Sequence, residues 1–385
     1  MLKVLRRVQL KGKNVKNADF IKGMDISTWL ELERLGAKFY DEGKEGNLLS
    51  ILKSYGTNSI RLRLWNDPYS EDGRPYGAGT NDLAATIIMS QRAKEQGMGI
   101  LLDLHYSDFW ADPGKQFIPK AWRGFDVSGL EKAVYDFTKA TLIALKQADA
   151  FPTMIQIGNE LSNGLLFPYG KYPEYDNIAR FVSAGIRAVR EVDVGLPVML
   201  HLDNGGNNEL YRDWFDHYLD RGEDFEVIGL SYYPFWHGSI QGLEDNMIDI
   251  AMRYSKDLIL AEVSMGFTME DYQDFEGLAD EERKGYATRQ ALVDRIEYPM
   301  SKQGQADFML DIMSRIARVP DGRGLGFYYW EPGWLPVKGS GWATEVSLEY
   351  IGDVGPCGNE WANQGLFDYR GNALPALGVI RDFGV

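Results

Sequence analysis

Short apolar runs rich in β-branched residues recur along the chain. Each is closed by turn residues and followed by a longer stretch of helical periodicity. The runs are Ile21–Ile26, Ser59–Leu64, Gly99–Leu104, Thr153–Gly158, Pro197–Asp203, Glu226–Tyr233, Asp257–Glu262 and Gly324–Trp330. Between them lie stretches that read as helices, among them Asp82–Gln96, Gly129–Ala148, Asp176–Glu191, Leu243–Tyr254 and Ala306–Arg318. Nearly continuous apolar strands alternating with helices imply a parallel sheet covered on both faces. Eight such units in 385 residues predict an α/β fold of one domain, a (β/α)₈ TIM barrel, rather than an open doubly wound sheet. The barrel is placed at residues 21–385, with 1–20 as an N-terminal extension. No GxGxxG or GxxxxGK[ST] follows the first run, which weighs against nucleotide binding.

The strand ends carry the functional signal. Barrels of this kind build their sites where strands meet the following loops. Here those positions hold Asp25, Arg63, Trp65, Asn66, His105, Tyr106, Asn159, Glu160, His201, Asp203, Tyr232, Tyr233, Glu262, Trp330 and Glu331. Some could cap helices, but Trp and Tyr are poor caps. Their concentration points to one shared site.

Composition narrows what that site meets. A net charge of −15 argues against nucleic acid and anionic membrane as partners. No apolar run is long enough for a transmembrane helix. The N-terminal stretch, with Arg6, Arg7 and several lysines, lacks the apolar segment and small-residue site of a signal peptide, so the expected location is cytoplasmic, or extracellular if a signal was trimmed. The single cysteine, Cys357, excludes an internal disulfide and any cysteine-based metal cluster. With four histidines and no HxH or HExxH spacing, no catalytic metal or other cofactor is expected. Ten Trp and twenty-one Tyr suit a groove that stacks the flat faces of neutral sugars.

Two glutamates stand out. Ile155-Gln-Ile-Gly-Asn-Glu160 ends the fourth run and Ile259-Leu-Ala-Glu262 ends the seventh. A charge after an apolar strand is costly unless it is paired or functional. Strands four and seven stand across a barrel from each other, so both carboxyls can converge on one bond. Glycosidases use such a pair, roughly 5–5.5 Å apart in retaining enzymes and wider in inverting ones.

Asn159-Glu160 and Glu262 in these places resemble the signature of glycoside hydrolase clan A. Arg61-Leu-Arg-Leu-Trp-Asn-Asp-Pro68, His105-Tyr-Ser-Asp-Phe-Trp-Ala-Asp-Pro-Gly-Lys115, His201-Leu-Asp-Asn-Gly-Gly206, Ser231-Tyr-Tyr-Pro-Phe-Trp-His-Gly238 and Tyr329-Trp-Glu-Pro332 resemble family 53, whose members are endo-β-1,4-galactanases. The resemblance runs from about Ile21 to the C-terminus. It implies that Glu160 is acid then base, that Glu262 is the nucleophile, and that Asn159 hydrogen-bonds the sugar 2-OH.

An acid must start protonated, so its surroundings should raise its pKa. The nucleophile must stay ionised, which calls for a nearby cation or hydroxyl. Arg61 on strand two and Tyr233 on strand six are the candidates, with Arg63 sharing the strand parity of Arg61. Trp330 would form the platform under the sugar, and Trp236, Trp110 and Trp65 would line further subsites. His105 and His201 would orient polar neighbours.

Some bacterial members of the family carry an Asp/Asn-rich calcium segment between strands seven and eight. Here Gly266–Gln305 is long and acidic (Glu270, Asp271, Asp274, Glu276, Asp280, Glu281, Glu282) without a compact DxDG-like run, so a weak structural calcium is possible but no defined site is predicted. The expected function is hydrolysis of β-1,4-galactan, arabinogalactan type I or derived galacto-oligosaccharides. The alternative is another retaining β-glycanase of the clan, a mannanase or endoglucanase.

Overall fold

The computed structural model describes residues 20–270, 272 and 289–384. The expected extension, apart from its last residue, and the acidic positions Asp271, Asp274, Glu276, Asp280, Glu281 and Glu282 lie outside the described residues.

Eight parallel strands close on themselves: β1 (Ile21–Asp25), β2 (Ser59–Leu64), β3 (Gly99–Leu104), β4 (Met154–Ile157), β5 (Val198–Leu202), β6 (Val227–Tyr232), β7 (Asp257–Val263) and β8 (Gly324–Trp330). They run in chain order around the barrel, and β1 pairs with β8 to seal it, Ile21 opposite Gly326 and Asp25 opposite Trp330. All eight expected runs are barrel strands. The helices start a residue or more from their expected bounds because the first polar residue is often the cap. Asp82 and Asp126 accept hydrogen bonds from Ala85 and Gly129 at 2.7 Å, and Ser239 and Ser301 accept from Gly242 and Gly304 at 3.0 Å. Leu48–Ser54 and Asn208–Leu219 complete the outer layer on stretches that were not assigned.

Strand alternation sorts the side chains. On β2, Ile60, Leu62 and Leu64 join the large core shared with the helices. On Tyr175–Val192, Ile178, Phe181, Val182, Ile186 and Val189 form one buried stripe against it. Each such side chain contributes about 1.5–3 kcal/mol on burial. The barrel interior changes character along its axis. Its lower part is apolar, with Leu101, Met154, Met199, Val227, Ile259, Ala261 and Tyr328 in one cluster. Its upper part is polar, holding Asp25, Arg61, Arg63, Asp103, Gln156, His201 and Ser231, all buried.

Two backbone features shape this interior. On β7 the register slips by one residue, so that Leu230 faces Leu260 but Ser231 faces Glu262. The extra residue, Ala261, lets both Ala261 and Glu262 turn inward, as a β-bulge does. On β8, Gly326 has φ +146°, and a Cβ there would lie 2.1 Å from the Ile21 carbonyl oxygen across the closing seam. Gly326→Ala is therefore expected to lower the unfolding free energy by about 2 kcal/mol or more. Chemical denaturation should show this; an unchanged midpoint and slope would mean the seam has slack.

Candidate active site

At the C-terminal ends of the strands a cleft of about 320 Å³ is lined by Arg63, His105, Trp110, Asn159, Glu160, Tyr233, Glu262, Trp330, Trp334 and Trp361, among others. Its size is ordinary for a small-molecule or sugar site.

Arg61, fully buried, organises its floor. One terminal nitrogen donates to Asp25 at 2.7 Å and to Glu262 at 2.9 Å. The other donates to Asp103 at 2.9 Å, to Asn159 Oδ1 at 2.9 Å and to Gln156 Oε1 at 3.1 Å. Burial works against its charge, but Asp103, Glu262 and Asp25 outweigh burial and hold the guanidinium above its ordinary pKa. Of the two arginines of like parity, Arg61 is the one that reaches Glu262. Arg63 instead pairs with Glu331 at 2.7 Å and lies 4.3 Å over the Trp110 ring.

Glu262 thus has Arg61 on one oxygen and the Tyr233 hydroxyl on the other, at 2.7 Å. Burial raises its carboxyl above the ordinary value, and Arg61 and the Tyr233 hydroxyl offset that rise only in part. Glu160 lacks such help. Burial, then the charges of Glu262 and Asp203, raise it well above the usual carboxylate range, opposed by one hydrogen bond from Ser231 at 2.6 Å. Its own backbone is in the left-handed region, φ 48°, reached through Gly158 at φ 76°. A non-glycine residue there costs about 1–3 kcal/mol, a strain typical of functional positions. One oxygen of Glu160 and one of Glu262 lie within 4.8 Å of each other.

The remaining expected residues divide. Asn159 lines the cleft, its Oδ1 held by Arg61 and its Nδ2 donating to the Ala111 carbonyl at 2.9 Å. His105 accepts at Nδ1 from Trp65 Nε1 and from the Ala111 amide, both at 3.1 Å, so its other nitrogen carries the hydrogen donated to Asp103 at 3.0 Å. Trp330 lines the cleft with Tyr233, Trp361 and Trp334 set edge-on around it, at 6.4, 5.3 and 5.7 Å. Trp110 lines it too. One expectation needs correction. Trp65 is wholly buried, anchored by His105 and packed on Phe109. Trp236, half-buried, meets Tyr233 and Trp361 edge-on at 6.1 and 5.5 Å.

Several lining residues were not foreseen. Trp334, Trp342, Asp353, Glu360 and Trp361 come from the segment after β8, which carries no strand or barrel-helix periodicity. Asp112 and Lys115 pair at 2.5 Å on the loop after β3. Asp103 and Gln156 could have been found by inward parity with His105 and Met154. Glu160, His201 and Glu262 also offer oxygen and nitrogen atoms close enough together for a cation. However, Glu262 is already satisfied by Arg61 and Tyr233, and His201 by Ser231 at 2.8 Å.

The family model "Glycosyl hydrolase family 53" matches residues 21–380. An endo-β-1,4-galactanase of Bacillus subtilis (strain 168) is 36% identical over 98% of this chain and 89% of its own length. An arabinogalactan endo-β-1,4-galactanase of Cellvibrio japonicus (strain Ueda107) is 32% identical over 94% of this chain and 90% of its own. The solved structure of the Ignisphaera aggregans GH53 catalytic domain superposes with a TM-score of 0.86 at 38% identity, covering 97% of this chain and 99% of that one.

Tyr233→Phe removes the hydroxyl that favours an ionised Glu262. Because that hydrogen bond lowers the carboxyl's pKa, its loss should move the acidic limb of kcat/KM upward, on the order of one pH unit. A limb that stays in place in the folded variant would mean Arg61 alone sets that ionisation.

Proposed function

The chain belongs to glycosyl hydrolase family 53, and from that membership we propose that it cleaves internal β-1,4-galactosidic bonds of galactan with retention of configuration, using Glu160 as acid/base and Glu262 as nucleophile. One observation carries the division of labour. One oxygen of Glu160 lies within 4.8 Å of one oxygen of Glu262, and only Glu262 has a cation and a hydroxyl on its oxygens. That closeness favours direct attack over an intervening water.

In the first step Glu262 attacks the anomeric carbon while Glu160 gives its proton to the departing glycosidic oxygen. Once Glu262 is esterified, its negative charge beside Glu160 is gone. The acid's pKa then falls, and Glu160 takes a proton from the water that hydrolyses the galactosyl-enzyme. Arg61 holds Glu262 in the attacking ionisation state, and Asn159, locked by Arg61 and Ala111, is placed to bind the 2-OH. Trp330 supplies a flat apolar face beneath the ring. Galactan as substrate rests on the named activities of the relatives, and the aromatic-rich cleft supports it.

Chromatography of products from potato galactan should show galacto-oligosaccharides, with little release from mannan or carboxymethylcellulose. The reverse preference would move the enzyme to another substrate class while keeping the chemistry. Glu262→Ala should lose about 10⁴-fold or more in kcat. Glu160→Ala should keep turnover on substrates with good leaving groups and be rescued by azide as the β-galactosyl azide. Formation of the α-azide by that variant would exchange the two roles.

A further inference from the structure

Glu160 presents its two oxygens to different surroundings. Oε1 meets Ser231 Oγ at 2.6 Å, and behind Ser231 stands His201 Nε2 at 2.8 Å. Both Ser231 and His201 are fully buried. Oε2 has no hydrogen-bond partner among the described residues, and Glu160 opens to the cleft. An acid of this kind is useful only if its hydrogen rides on the oxygen that faces the linkage.

The hydrogen-bond arithmetic of this chain admits either His201 tautomer, and the two place the Glu160 proton on different oxygens. An ionised Glu160 is acceptor-only, so Ser231 must donate to Oε1. A protonated Glu160 ready to serve as acid carries its hydrogen on Oε2, and Oε1 again accepts. In both states the Ser231 hydrogen is committed to Glu160, which leaves its oxygen to accept from His201 Nε2–H. His201 Nδ1 then accepts, and Gln156 Nε2, which also reaches the Gly158 carbonyl at 2.9 Å and Asn159 Oδ1 at 3.0 Å, lies 3.1 Å away to donate. The Gln156 amide is oriented by Arg61, which donates to its Oε1 at 3.2 and 3.1 Å. The opposite tautomer also has a partner, Asn159 Oδ1 at 2.9 Å from Nδ1. It would turn the Ser231 hydrogen toward His201 and leave Glu160 to donate from Oε1, with its proton aimed into the barrel wall.

We infer that Ser231, polarised by His201 in its Nε2–H tautomer, is a positioning residue that confines the transferable proton of Glu160 to the oxygen facing the glycosidic bond. The relay does not rearrange between the two half-reactions. Ser231 donates to Oε1 throughout, and the proton that leaves and returns does so at Oε2. Burial, Arg61, His105 and His237 keep His201 well below its ordinary pKa, so the ring does not gain the second hydrogen that would abolish the distinction. The other groups facing Glu160 are Glu262 from β7, Asp203 from the end of β5, Asp112 from the loop after β3, Tyr233 from the end of β6 and Tyr211 from the helix Asn208–Leu219. Ser231 and His201 are the members of this set that reach Glu160 by a hydrogen-bonded path from the barrel interior.

The inference rests on Glu160 being the acid/base, which azide rescue tests separately. Ser231→Ala removes a hydrogen bond that favours ionised Glu160. The basic limb of kcat/KM should therefore move upward, on the order of one pH unit. KM should stay within about twofold, and Ser231→Thr, which keeps the hydroxyl, should restore the limb. A Ser231→Ala protein that folds as wild type by circular dichroism, is rescued normally at Glu160→Ala, and has its basic limb unmoved would overturn the relay alone. A measurement on unsubstituted protein covers the case in which Ser231→Ala does not fold. The chain has four histidines, so the ¹⁵N spectrum of labelled imidazoles can be assigned. His201 should be the Nε2–H tautomer across the active pH range, and an Nδ1–H signal there would overturn the proposal.

Discussion

The site is built on one buried cation. Arg61 sits inside the barrel with Asp25, Asp103 and Glu262 on its terminal nitrogens and two side-chain amides filling the remaining donor positions. A guanidinium out of water is tolerable only when nearly every donor is used and its charge is matched. Here the matching is overdone, with three carboxylates on one arginine. The result is a fixed network in which Glu262 is held by geometry and charge together, because the three carboxylates come from three different strands: β1, β3 and β7, with the end of β4, all report to a side chain of β2.

A second layer lies above it. Arg63 bridges Asp25 and Glu331 and lies against the face of Trp110. Burial, offset in part by Arg63, raises Glu331 to about 7. The lower network thus sets the charge around Glu262, while the upper one fixes the aromatic walls. Moving from the apolar floor through Arg61 to Trp330, the barrel passes from packing to electrostatics to an aromatic cleft wall within a few residues of each strand. The β7 bulge at Ala261 makes that transition possible on the strand that needs it most, since regular alternation would have turned Glu262 outward behind Ala261.

Periodicity carried the fold. All eight strands were legible because each is a short run, mostly apolar or alternating, whose outward apolar residues pack on helices. Among the helices that were not assigned, Leu48–Ser54 is too short for a clear period and Asn208–Leu219 mixes Trp, Tyr and charged residues on its faces. In the site, Glu160, Glu262, Asn159, Arg61, His105, Tyr233 and Trp330 were legible from strand ends and from the family motifs, and the structure brings them together. The choice between Arg61 and Arg63 was not legible, because parity places both inward and only depth separates them. Trp65 was misplaced for a related reason. Sequence marks an aromatic as near the rim but does not say that it is covered, here by Phe109. The far wall was silent, because Trp334, Trp342 and Trp361 lie on irregular chain whose position depends on tertiary contacts alone.

The seam between β1 and β8 has a consequence for how the enzyme comes into being. Ile21 finds its partner Gly326 only after some three hundred residues have been made. Until that last stave arrives, the first strand has an open flank, and the cylinder is an unfinished sheet with unpaired backbone groups. Trp330 belongs to the same late strand, and Trp342 and Trp361 emerge later still. A nascent chain therefore acquires closure and the aromatic wall of its cleft at nearly the same moment. Its partly made forms hold Glu160 and Glu262 without that wall.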